Sequence, residues 1–102
     1  MKFTTQKNNL FEALNETNKV IPIRTTLPIL SCVLIKAQDN KITLIATDLE
    51  QTIISQTEGK VLEEGEIAIS NGRFLEIIAA LPSEELEIST KEDRETEINS
   101  SK

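Results

Sequence analysis

ILSCVLIKAQDNKITLIATDLEQTIISQTEGK, residues 29–60, is the stretch whose reading decides the fold. Residues 29–38 are apolar on both faces, which predicts a strand covered from both sides. Asp39 and Asn40 form a turn pair, and residues 41–49 return as the antiparallel partner. Residues 52–60 read as a third strand that ends near Gly59. The expectation is an antiparallel meander, with helices elsewhere to cover it.

Upstream, Pro22 and Pro28 force extended backbone before them and stop any helix that precedes. Such a helix is predicted over residues 6–20, where Leu10, Ala13, Leu14, Thr17 and Val20 recur at helical spacing and Asn8, Glu12, Asn15 and Lys19 fall on the opposite face. Residues 2–5, KFTT, make a short extended start. Downstream, LEEGE at 62–66 reads as an acidic loop and residues 66–70, EIAIS, as a strand. Ser70 or Asn71 can cap a second helix over 71–81. Its apolar stripe is Phe74, Ile77, Ile78 and Leu81, and Pro82 stops it. Leu86 and Ile88 point inward from the strand that follows, KEDRE at 91–95 turns, and residues 96–101 begin another strand.

One domain therefore spans residues 1–102: strand, helix and three strands over 1–60, then strand, helix and two strands over 66–102. The second half is one strand short, so the chain reads as a truncated piece of a longer protein with its last strand missing. The fold class is α+β, two helices side by side on antiparallel sheet, with Leu14, Val33, Leu44, Ile77 and Leu81 buried.

Composition narrows the function. The only aromatics are Phe3, Phe11 and Phe74, too few for the stacking ladders of single-strand binders. The sequence has no histidine, which excludes Ser–His and Cys–His catalysis. Cys32 is the sole cysteine, set in an apolar run where it reads as a small buried hydrophobe. With no disulfide framework, no signal peptide and no membrane-length apolar run, a cytoplasmic protein is expected.

The net charge of −6 argues at first against a nucleic-acid partner. Its distribution does not. Residues 1–60 carry seven Lys+Arg against six Asp+Glu, and residues 61–102 carry four against eleven.

RTTLPIL at 24–30 and ATDLE at 46–50, with MKF at the start and AALP at 79–82, resemble the first domain of the bacterial DNA polymerase III β subunit family, the replication sliding clamps. The resemblance covers the whole chain. It implies a DNA clamp fold within a ring of two three-domain subunits joined head to tail around duplex DNA. Helices would line the pore and sheets would face outward. It implies tethering of the polymerase III catalytic subunit and the clamp loader through later domains. It implies no catalytic residue, no metal and no cofactor. An acidic exterior with modest cation density inside suits a ring that holds DNA without reading its sequence.

By the same resemblance Arg24 matches the pore arginine that contacts the DNA backbone, a role that a permanently charged guanidinium fills. Before the second helix the family carries two basic residues. Here the pair is Gly72-Arg73, so Arg73 alone is left for DNA. Lys7 and Lys19 are the cations that the first helix offers, among Glu12 and Glu16. Arg73, Ile77 and Leu81 fall on the helix face that meets the partner subunit. Two other readings compete. Asp48 and Glu50, two apart on a strand, could form half of a metal site in a nuclease fragment, although Asp48 better suits a turn that bonds backbone amides. A protein-interaction domain that never meets DNA is the other.

Overall fold

The computed structural model describes residues 1–21, 31–82, 84–90 and, for the backbone, 96–100. The elements run β1 Lys2–Gln6, α1 Lys7–Asn18, β2 Cys32–Gln38, β3 Lys41–Thr47, β4 Thr52–Glu58, β5 Lys60–Glu63, β6 Gly65–Ser70, α2 Asn71–Ala80, β7 Glu85–Thr90 and β8 Thr96–Ser100. They form two four-stranded sheets, ordered β5-β1-β7-β8 and β4-β3-β2-β6. Every pairing among the described residues is antiparallel.

The meander stands. Gln38 pairs with Lys41, leaving Asp39 and Asn40 as a two-residue turn with φ of 53° and 57°. Both central residues are left-handed, as a hairpin turn that follows the strand twist requires. Asp and Asn tolerate that conformation better than other non-glycine residues.

Two expectations about these strands need correction. On β2, Val33, Ile35 and Ala37 are buried, while Cys32, Leu34 and Lys36 on the other face are half-exposed. The core therefore covers one face of this sheet. Cys32 faces away from it and is half-buried rather than buried. Residues 60–63 also form a strand of their own, so Leu62 and Glu63 do not belong to the expected acidic loop. After β4 the chain leaves one sheet at Gly59 and joins the other as β5 beside β1. A Cβ on Gly59 would lie 2.7 Å from the Thr4 carbonyl oxygen, so this crossing needs glycine. Glu64 alone then carries the chain back to β6.

The inner faces of the sheets and the helix stripes share one core. Phe3, Leu86 and Ile88 come from the first sheet, Val33, Ile35, Ile42 and Leu44 from the second, and Leu10, Leu14, Phe74 and Ile78 from the helices. Fully burying a side chain of this kind contributes about 1.5–3 kcal/mol. Leu14, Val33 and Leu44 are buried as expected. Ile77 is not: it is 41% exposed, and Leu81 is half-buried. The inward stripe of α2 is Asn71, Phe74 and Ile78. Ile77 lies about 100° around the helix from Ile78, which carries it over the edge of the stripe.

α1 continues past Asn18 as a tighter turn. The amides of Lys19, Val20 and Ile21 donate to the carbonyls of Glu16, Thr17 and Asn18, three residues back in each case. This turn tucks Val20 into the interior.

Candidate nucleic-acid interface

The two helices lie antiparallel. The first residue of α1, Lys7, reaches the end of α2, with its ammonium 2.5 Å from the Leu81 carbonyl and 3.3 Å from that of Ala79. The first residue of α2, Asn71, reaches the end of α1. Its Nδ2 donates to Asn18 Oδ1 at 3.1 Å and to the Leu14 carbonyl at 3.4 Å, and its Oδ1 lies 2.8 Å from the Thr17 hydroxyl. Asn71 and Thr17 are both fully buried. Buried polar groups without partners are costly, so this cluster holds only if its members meet one another. Asn71 does not cap its own helix, and Ser70 at the N-cap makes no side-chain cap bond either.

This arrangement decides where the cations stand. Lys19 follows Asn18, and Arg73 lies two residues after Asn71, so the bonded pair brings both to one end of the helix pair. Lys19 is exposed and pairs with Glu16 at 3.1 Å. Such a surface pair contributes about 0–1 kcal/mol and opens readily for a phosphate. Arg73 is exposed and sits in the first turn of α2, which holds no acidic residue. Amides of that turn and the guanidinium present positive charge together.

Lys7 stands apart from them, at the opposite end of the pair. Its backbone N–H also donates to the Glu84 carbonyl at 2.7 Å. Arg24 lies outside the described residues, as do Pro22, Pro28 and the turn at 91–95. Ile77, one turn beyond Arg73, offers exposed apolar surface on α2. Leu81 ends that helix half-buried.

Asp48 orders the turn between β3 and β4. Its Oδ1 accepts from the Gln51 amide at 2.6 Å and from the Glu50 amide at 2.9 Å. These bonds hold its carboxyl below the usual carboxylate range, the Gln51 bond contributing most. Among the described residues, no three histidine, cysteine or acidic side chains converge as metal ligands. No helix among them is long and apolar enough to cross a membrane.

The buried Asn71–Thr17 contact was missed by sequence reasoning. Its only trace was two polar residues on otherwise apolar stripes, at positions assigned to helix periodicity and capping.

A family model for the N-terminal domain of the DNA polymerase III beta subunit matches residues 1–102. The chain is 36% identical over 108 residues to the beta sliding clamp of Staphylococcus epidermidis, covering 98% of this chain and 29% of that protein. It is 36% identical over 88 residues to the beta sliding clamp of Vibrio harveyi, covering 84% of this chain and 60% of that sequence. Among solved structures, the DNA polymerase sliding clamp of Bacillus subtilis matches with a TM-score of 0.94 and 31% identity, over all of this chain and 29% of that one. The sliding clamp of Caulobacter crescentus matches with a TM-score of 0.93 and 29% identity, over all of this chain and 28% of that one. The chain thus spans under a third of the length of the Staphylococcus relative and of both solved clamps.

Proposed function

Because this chain belongs to the DNA polymerase III β subunit family, as its N-terminal domain, we propose that it forms part of a ring that encircles duplex DNA in the cytoplasm and tethers the replicative polymerase. The domain does no chemistry. It supplies two helices to the inner surface, where cations meet phosphate without reading bases. The partners are duplex DNA, a second subunit in a head-to-tail dimer and, through later domains, the polymerase III catalytic subunit and the clamp loader.

The observation that carries this reading is the grouping of Lys19 and Arg73 at one end of an antiparallel helix pair, in a chain of net charge −6. Arg24 is assigned to the same inner surface. Arg73, Ile77 and Leu81 are assigned to the contact with the partner subunit.

The test is the salt dependence of association with duplexes of unrelated sequence. Affinity should fall steeply as salt rises and should not differ between sequences. Arg73→Met should lower the slope of log Kobs against log salt by about 0.9, the contribution of one phosphate contact. Sequence preference, or a slope unchanged in Arg24→Met, Lys19→Met and Arg73→Met alike, contradicts the assignment.

A further inference from the structure

We propose that Lys7 is a positioning residue of the helix pair and not a ligand of DNA phosphate. The inference rests on the reading that α1 and α2 face DNA, and it separates the cations of that surface into two kinds.

Two bonds tie Lys7 to the end of α2, and a third ties it to the residue before β7. The ammonium binds the carbonyls of Ala79 and Leu81, and the backbone N–H binds that of Glu84. The last carbonyls of a helix have no partner within it and carry partial negative charge. α2 has no basic residue in its last turn, so the cation that satisfies this end comes from α1. An ammonium has three donors, and two of them are engaged here.

The opposite end of the pair is held by Asn71. Each helix is therefore gripped at its last turn by the first residue of the other. Apolar ridges alone allow two helices to slide along each other by a turn. Polar contacts at both ends remove that freedom, because a slip breaks them all. The relative height of the helices then fixes the spacing of Lys19 on one and Arg73 on the other.

The test compares the 102-residue chain with its Lys7→Met and Lys7→Arg variants by amide hydrogen exchange. In Lys7→Met the amides of Ile78, Ala79, Ala80 and Leu81 should exchange about threefold to tenfold faster, while those around Phe74 keep their protection. Lys7→Arg retains a donor and a charge, and should restore protection. In parallel, Lys7→Met should leave the salt slope of DNA association unchanged, whereas Lys19→Met and Arg73→Met should each lower it by about 0.9. Unchanged exchange in Lys7→Met overturns the proposal. So does a loss of slope equal to that of Lys19→Met. If neither Lys19→Met nor Arg73→Met alters the slope, the DNA reading of these two cations fails. The exchange data still decide whether Lys7 holds the helices.

Discussion

The Thr17 hydroxyl on α1 lies 2.8 Å from Oδ1 of Asn71 on α2, and neither residue reaches solvent. The same hydroxyl has the Leu14 carbonyl at 3.0 Å, and its one proton serves one acceptor at a time. Removing Asn71 leaves buried groups on α1 without their partner. Asn71→Ala should cost about 1–3 kcal/mol in urea unfolding. Thr17→Val combined with Asn71→Leu should cost less than the sum of the single changes, since both sides then become apolar. Strict additivity would mean that the two residues do not interact.

Glycine is required at one site and dispensable at another. A Cβ at Gly59 meets the Thr4 carbonyl at 2.7 Å and Ile42 Cγ1 at 3.0 Å, whereas a Cβ at Gly72 meets nothing within 4 Å. Gly59→Ala should destabilise by about 1–3 kcal/mol, because backbone must move to admit the methyl. Gly72→Ala, in the first turn of α2, should raise stability by about 0.4–1 kcal/mol. Thermal unfolding of both variants checks the pair, and the opposite order contradicts the crossing geometry at Gly59.

The turn at Asp48 titrates. Its carboxyl lies below its ordinary value of 3.8 because the amides of Gln51 and Glu50 favour the charged form. A depressed folded-state value stabilises the fold above the unfolded value, and the effect is lost as pH falls through the folded one. The stability difference between the chain and Asp48→Ala should therefore hold at neutral pH and shrink below about pH 4. Urea midpoints across pH check this. A difference that grows on acidification contradicts the hydrogen-bond assignment.

On its own, the 102-residue chain should bind duplex DNA no better than roughly 10⁻⁴ M at physiological salt, as expected of a few phosphate contacts without sequence readout. A fluorescence titration showing micromolar binding to one sequence only would contradict the account.

The sequence showed its periodic elements well. The meander was legible because Asp39-Asn40 is strong turn chemistry between apolar runs, and α2 because its stripe is long and ends at Pro82. β5 was hidden: Val61 alone packs against the core from Lys60–Glu63, so no alternation marks it, and the change of sheet at Gly59 is a tertiary event. Ile77 was misplaced because the true stripe begins at a polar residue, Asn71. The bonds of Lys7 span 72 and 74 residues. Local pattern carries no trace of a partner so distant.

The most direct measurement of the central claim uses the full-length protein that carries this domain, loaded onto nicked circular DNA and then challenged with high salt and with a restriction enzyme. A ring held by topology should stay on the circle in salt that abolishes ordinary phosphate contacts, and should leave once the circle is cut. Release by salt from the intact circle, or retention on the linear product, would contradict it.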